Sequence, residues 1–495
     1  MKAIVNLSIF ALLFLLAGCF DHLDREPVGL ITSDQIDEEP SQSSIISSVN
    51  SIYHPLATTL NLLGEWDWDG GLVLRNDFIV HDIASGDMLK KWESDGDQAW
   101  MDEVGNFTFT ANNPAFNGVW GYSYEGISRA NRAIQMIENP EILERVGMET
   151  ELSNRLLGEA YFLRAFNYFE LANNYGSLPI LTEPLSDFSQ AYDAVFRQPE
   201  EDVWNLIRQD LDRAENLLPA SKYSSETEPW RVSLGAVISK KAKVALYHEN
   251  YNEVINQIET LESFGFYELN DHYFDSFAVE EQFQEDEVIF AYNHREGQTP
   301  ARGNGIGALT GWGFVAPSAN FINAFESDDP RLEYTIDVEE RNPNKILGTT
   351  DGQFKGNDDG PGNKVYIRYA DVLLWKAEAL IETGNVEDGL EIIDRIRDRA
   401  RNTPFLDGSE VPEEALPAYA GTGLTAEEAR EILRKERRLE LGFESHRFND
   451  LKRWGIAQQV LNDMGRGFQN HHNLYPIPQR EIDRSGGQIE QNPGY

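Results

Sequence analysis

A single cysteine, Cys19, serves all 495 residues. One thiol forms no internal disulfide and no cysteine metal cluster, so neither device holds this fold together. Basic residues are also scarce. There are 42 Lys and Arg against 83 Asp and Glu, a formal net charge of -41. Nucleic-acid binding needs clustered Lys and Arg, and the absence of any such run argues against it. No apolar stretch reaches the ~20 residues that a membrane-spanning helix requires. Catalytic signatures are missing too: there is no Gly-x-Ser-x-Gly elbow, no His-Glu-x-x-His and no phosphate-cradling Gly-Lys-Thr. The stretch Gly303-Asn304-Gly305-Ile306-Gly307 is glycine-rich but lacks the strand-to-helix setting of a nucleotide loop. His471-His472 has no metal-ligand spacing. Asp358-Asp359 and Ser94-Asp95-Gly96-Asp97 lack the closing Glu of a calcium loop. No metal and no cofactor is expected.

What is present begins at the N-terminus. Met1-Lys2-Ala3 is followed by an apolar run from Ile4 to Leu16, broken by Asn6 and Ser8, and then by Leu16-Ala17-Gly18-Cys19. A charged start, a short apolar segment and a small-residue ending read as a secretory signal. The Leu-Ala-Gly-Cys ending resembles the bacterial lipobox, in which the peptide is cut before Cys and the thiol is acylated. Residues 1–18 are therefore expected to be a lipoprotein signal peptide. Residues 19–42, polar and carrying Pro27 and Pro40, suit a tether. Acyl chains contribute about 0.8 kcal/mol per buried methylene, so several of them anchor a soluble body at a membrane surface.

Hydrophobic residues make up 41% of the chain, enough for a packed core. Most of the body carries apolar residues at steps of three and four, the helical period. The pattern predicts helices over 116–138, 151–173, 201–218, 232–248, 251–263, 365–383, 387–401 and 426–443, with Pro219 stopping the third. Two joints look alike, Ala245-Leu246-Tyr247-His248-Glu249-Asn250 and Ala379-Leu380-Ile381-Glu382-Thr383-Gly384-Asn385. Each sets a small residue on one helix and a Gly or Asn at a tight turn before the next. This is the layout of a tetratricopeptide-like helical hairpin. The expected fold is mainly α: tetratricopeptide-like hairpins in a right-handed superhelix, interrupted by long loop-rich insertions.

Those insertions are 61–112, rich in Trp, Asp, Gly and Asn, and 264–364. Phe107-Thr108-Phe109-Thr110 and Glu287-Val288-Ile289-Phe290-Ala291-Tyr292 read as strands. Residues 402–425 form a third irregular stretch. Residues 43–495 are expected to be one body, with helical blocks at 113–263 and 365–454 and a tail at 455–495.

Several local matches, in order along the chain, resemble the SusD/RagB family of outer-membrane lipoproteins. They are Trp120, Tyr124, Ile127 and Asn131; Arg164-Ala165-Phe166-Asn167-Tyr168-Phe169 with Tyr175-Gly176-Ser177-Leu178-Pro179-Ile180; and Pro317, Phe325-Glu326 and Asp328-Asp329-Pro330-Arg331. Further along come Glu436-Arg437-Arg438-Leu439-Glu440-Leu441-Gly442-Phe443-Glu444, His446 to Trp454, Tyr475-Pro476-Ile477-Pro478 and the closing Gln491-Asn492-Pro493-Gly494-Tyr495. Ser318 departs from the family's usual Thr after the proline. The resemblance implies a cell-surface lipoprotein, attached to the outer membrane through Cys19, that captures an oligosaccharide or polysaccharide. It also implies a SusC-like, TonB-dependent transporter as partner, and no catalysis.

A neutral sugar offers hydroxyls and a patch of C–H groups, which an aromatic face and a few planar polar groups complement. Trp66, Trp68 and Trp92 lie among Asp and Asn, including Asn76 and Asp77. A second cluster holds Tyr292, Arg302 and Trp312. The resemblance places the family's ligand site on these two regions, and these eight residues are the candidate contacts. Trp100 and Phe314 read instead as satellite core, and Trp120 as core at helical spacing. Arg437, Arg438, Glu440 and Glu444 read as a structural ion network, with Arg437, Arg438 and Arg447 as the partners of the glutamates. Arg164 and Asn167 read as fold determinants. Peptide capture, glycoside hydrolysis by an acidic pair, and a repeat scaffold without small ligand remain the alternative functions.

Overall fold

The computed structural model describes residues 39–58, 75–91, 96–185, 190, 194–297, 305–311, 314–357 and 359–495. Its frame is a succession of helices: α1 (Gln42–Tyr53), α2 (Trp100–Asn106), α3 (Pro114–Glu138), α4 (Thr150–Tyr175), α5 (Glu200–Leu217), α6 (Leu234–Tyr247) and α7 (Tyr251–Ser263). After the middle insertion, which carries the short α8 (Ile306–Gly311), come α9 (Tyr369–Glu382), α10 (Val386–Asn402), α11 (Ala426–Glu440) and α12 (Arg447–Arg453). Neighbours pack in chain order. Helix α1 lies on α3, α3 on α4, α4 on α5, α5 on α6 and α6 on α7, and α7 then meets α9, which carries α10 and α11. The fold is mainly helical, as the periodicity predicts.

The helices start where the sequence supplies caps. Asn113 accepts from the Ala115 amide ahead of Pro114, and Thr425 forms a capping box with Glu428. The two hairpin joints close alike. The Asn250 amide donates to Ala245 O at 2.9 Å and the Asn385 amide to Leu380 O at 2.8 Å. The left-handed residue is Gly384 at one joint, as expected, but Glu249 rather than Asn250 at the other. Arg164 and Asn167 stitch helices together. The Arg164 guanidinium donates to both Asp210 carboxylate oxygens, at 2.7 and 2.8 Å, and to Asn131 Oδ1 at 2.8 Å. Asn167 donates to Leu163 O within its own helix and packs against Gly126.

The strands make three small antiparallel sheets. β1 (Met88–Lys90) pairs with β5 (Val315–Pro317), β2 (Leu178–Pro179) with β3 (Arg197–Gln198), and β4 (Val288–Tyr292) with β6 (Lys364–Arg368). Two local expectations are corrected. Residues 365–368 belong to β6 rather than to the following helix, because Val365 and Ile367 alternate into the core opposite β4. Phe107–Thr110 is no strand. Phe107 adopts a left-handed conformation that ends α2. Both phenylalanines are buried with Thr108 and Thr110 exposed, which reproduces a strand's alternation without a partner. Phe107 packs edge-on against Phe468, and Phe109 against Phe116. Trp120 and Phe314 are buried, and Trp100 is partly buried against the core.

Candidate functional site

The β4–β6 sheet carries Tyr292 at the end of β4 and Tyr366 in the middle of β6, and both connect to the stem of the first insertion through Arg75. This arginine is fully buried. Its Nη2 donates to Leu56 O at 3.0 Å, Asp77 Oδ2 at 2.8 Å and Tyr366 Oη at 3.1 Å. Its guanidinium lies 5.6 Å from the Tyr292 ring centre. The Tyr366 hydroxyl donates in turn to Leu56 O at 2.7 Å, and the Asn76 amide donates to Thr58 O at 2.9 Å. Residues 58 and 75, which flank the segment 59–74, are thus clamped side by side on the sheet.

A second stem adjoins the first. His294, next but one after Tyr292, has its Nε2 at 2.9 Å from Asp359 Oδ1, and the other Asp359 oxygen accepts from the Gly297 amide at 2.9 Å. Burial lowers the His294 pKa despite the pull of Asp359. Gly297 opens onto 298–304, and α8 takes up the chain beyond it. The close packing of α8 explains its glycines. Gly307 O accepts from the Gly356 amide at 2.9 Å, and a Cβ on Gly307 would overlap Asn357 O and Phe354 O. The glycine-rich stretch thus seats a loop backbone. Gly307→Ala is expected to cost about 1–3 kcal/mol, by pushing the 354–357 turn away. Urea denaturation measures this, and a midpoint equal to the wild type's would contradict the packing.

Lys91 and Phe314 form the third stem. The Lys91 amide donates to Phe314 O at 3.0 Å, continuing the β1–β5 ladder. The segments 92–95 and 312–313 therefore leave from the same end of one two-stranded sheet, and α8 joins this stem to the preceding one. Four separate stretches of the two insertions are brought to neighbouring stems.

Of the eight candidate contacts, Trp66, Trp68, Trp92, Arg302 and Trp312 lie outside the described residues, as does Cys19. Of the other three, Asn76 and Tyr292 are buried and Asp77 is half-buried. Asn76 is fully buried and donates to Ala115 O at 2.7 Å. Asp77 is committed to Arg75. Burial raises its pKa, but Arg75 and Lys364 outweigh this and hold it below the usual carboxylate range. Tyr292 is 9% exposed beneath the Arg75 guanidinium. These three side chains build the floor on which the stems rest. Arg295 and Glu296, between His294 and Gly297, are exposed and available to a ligand. Nothing local along the chain signals the His294–Asp359 clasp or the Arg75–Tyr366 bond, since each joins residues far apart in the chain.

Among the described residues, no group of three or more His, Cys, Asp or Glu side chains is arranged to hold a metal ion. His471 and His472 lie with their ring centres 4.0 Å apart and their planes inclined by 55°, and the Gln469 amide donates to His472 Nδ1. Burial, with His471 beside it, lowers the His472 pKa to about 4.

Comparison with known proteins follows this architecture. A model of the SusD family matches residues 342–495. Another, described as starch-binding associating with outer membrane, matches residues 75–246. SusD-like protein P2 of Formosa agariphila is 26% identical over an alignment covering 99% of each chain. A solved laminarin binding SusD-like protein is 24% identical with a TM-score of 0.73, over 92% of this chain and 100% of the other. Surface glycan-binding protein A from Bacteroides thetaiotaomicron, solved in complex with laminarihexaose, is 20% identical with a TM-score of 0.71, over 91% of this chain and 99% of that one.

Proposed function

From the premise that the chain is a member of the SusD-like family, we propose that it is a cell-surface glycan-binding lipoprotein. In this reading it captures an oligosaccharide or polysaccharide and delivers it to a SusC-like, TonB-dependent transporter. The observation that carries the reading is the convergence of the stems. The segments holding Trp66, Trp68, Trp92, Arg302 and Trp312 all spring from the neighbourhood of the β4–β6 and β1–β5 sheets. In this reading indoles from both insertions meet one ligand, above a base formed by Asn76, Asp77 and Tyr292. Two structural neighbours support a glycan cargo, one named as laminarin binding and one solved with laminarihexaose. A net charge of -41 favours a neutral polymer over a polyanion.

The anchoring part of the proposal assigns residues 1–18 to a signal peptide, the thiol of Cys19 to acylation and residues 19–42 to a tether for the 43–495 body. It is supported by the lipobox-like ending and by the outer-membrane association in the second family description. No helix among the described residues is long and apolar enough to cross a membrane. The protein acts by binding, without catalysis.

Affinity electrophoresis of the purified protein tests the cargo, with laminarin, starch and an anionic polysaccharide in separate gels and a peptide digest as competitor. Retardation by at least one neutral glucan, undisturbed by the digest, is the expected result. Retention by peptides alone, or release of sugar products from the gel polymer, would replace the proposal with one of its alternatives.

A further inference from the structure

Asp82 lies on a π-helical turn (Ile79–Ile83) that follows the first stem, and it is 1% exposed. Among the described residues its carboxylate is held by Ser445 alone. Oδ1 accepts from the Ser445 amide at 3.3 Å and Oδ2 from the Ser445 hydroxyl at 2.9 Å. Lys364, at the start of β6, reaches it only through that hydroxyl, to which its Nζ donates at 2.9 Å. Ser445 adopts a left-handed backbone with φ 68°, a region that favours glycine. In that conformation its amide and its hydroxyl both serve Asp82. The trio joins three separate parts of the fold: the turn, β6 and the link between α11 and α12. Lys364 also pairs with Tyr292 across the β4–β6 sheet, so the trio adjoins the floor beneath the stems.

A carboxylate shut off from water, with no cation in direct contact, favours its neutral form. The surrounding charges do not reverse this. Burial raises the Asp82 pKa, Lys364 and the Ser445 hydroxyl pull it down, and Asp87 and Asp77 push it up again, to about 7. Burial also lowers the Lys364 pKa against the pull of Asp77 and Asp82. Charged groups on the other elements packed against the turn are engaged elsewhere. Asp102 of α2 meets Lys90 of β1, and Glu103 accepts from Asn113. Asp87 meets Arg438, and Arg447 of α12 acts on the same Asp87. Asp450 of α12 meets Arg437, and His446 meets Asp371. Burial holds His446 well below its ordinary pKa, so it stays neutral. Tyr122 of α3 is also neutral, its pKa raised by burial and by Asp77. Arg466 donates to Ile83 O, and His81, on the turn itself, faces Glu170 at 3.8 Å.

We propose that Asp82 is a proton-operated latch, which fastens the π-helical turn to β6 and to the α11–α12 link when it takes up a proton and loosens them when it gives the proton up. The proton comes from solvent and adds to Oδ1, the oxygen with the longer contact, while Oδ2 keeps accepting from the Ser445 hydroxyl. A carboxyl in the unfolded chain releases its proton near pH 4, whereas folded Asp82 keeps it toward pH 7. Between these limits the folded state binds the extra proton. The latch's contribution to stability is therefore full below about pH 4 and is lost as the pH rises through about 7. This device does not depend on what the loops above it bind.

Urea unfolding of the purified wild type and of Asp82→Asn tests the proposal. Asparagine keeps an acceptor for Ser445 and cannot titrate. Relative to the variant, the wild type's folding equilibrium constant is expected to fall by about 10-fold or more between about pH 5 and about pH 8, since the other titrating groups are common to both proteins and cancel. Infrared difference spectra over the same range read the proton directly. A carboxylic-acid band that disappears as the pH rises is expected in the wild type and is expected to be missing from Asp82→Asn. Ser445→Gly keeps the amide and suits the left-handed backbone, but removes the hydroxyl that favours the anion. In that variant the band is expected to persist to higher pH. Parallel stability profiles for the wild type and Asp82→Asn, no band that depends on Asp82, or an unmoved band in Ser445→Gly would overturn the proposal.

Discussion

Arg368→Met is expected to lower the stability of the protein by about 3–5 kcal/mol, enough to abolish folding in a marginal chain. Arg368 is buried at the junction of β6 and α11. It donates to Glu287 Oε1 at 2.5 Å, to Glu440 Oε1 at 2.8 Å, and to Glu444 Oε1 and Oε2 at 2.8 Å each. All three carboxylates are buried with it. Burial works to raise the Glu444 pKa, yet Arg368 and Lys345 overcome it and hold it at about 2. Glu440 is likewise kept below the usual range by Arg399, Arg368 and Arg331 against the same burial. Glu440 and Glu444 thus stay ionised at neutral pH, so deleting Arg368 strips them of a shared counter-charge with no route to water. An exposed pair behaves differently. Arg208 meets Glu201 at 2.6 Å with both side chains exposed, by 38% and 64%, so Arg208→Ala is expected to change stability by no more than about 0.5 kcal/mol. Urea unfolding of the two variants measures the contrast. Equal midpoints would show that the buried network does not hold β6 and α11 together.

The same network shows where sequence reading reaches its limit. That Glu436, Glu440 and Glu444 need basic partners is legible, because like charges four residues apart on a helix demand compensation. The identity of those partners is not. The neighbouring Arg437 turns to Asp371 and Asp450, and Arg438 to Asp87. Arg447 keeps its Nε and Nη1 buried without hydrogen-bond partners. Glu440 instead takes Arg331, Arg368 and Arg399, which lie on other elements. The helices were legible because an apolar residue every three or four positions is a local signal. Strand β6 was misread because Val365 and Ile367 run directly into the apolar pattern of α9, and only the distant partner β4 distinguishes the two. The site follows the same division. Tryptophan-rich insertions are visible as composition. That Asn76 and Asp77 turn inward to Ala115 O and Arg75 depends on contacts made after folding.

Joint replacement of Trp66 and Trp312 by alanine is expected to abolish glycan retention while leaving the melting temperature within a degree or two of the wild type. An indole face covers the C–H patch of a pyranose with an area no smaller side chain supplies. Aromatic anchors at binding surfaces typically carry about 2 kcal/mol or more, near a 30-fold loss of affinity for each. The two residues come from different insertions, so a ligand held by both should bind weakly to each single variant and undetectably to the double. Stability should be spared because the stems are secured elsewhere. Arg75 clamps residues 56–58 to Tyr366, and Lys91 donates to Phe314 O within the β1–β5 ladder. Affinity electrophoresis on the glucan that retards the wild type, paired with thermal melting of each variant, separates the roles. Full retention by the double variant would remove stacking as the basis of capture. A large fall in melting temperature would show the indoles to be part of the core beneath the loops, leaving exposed groups such as Arg295 to make the contact.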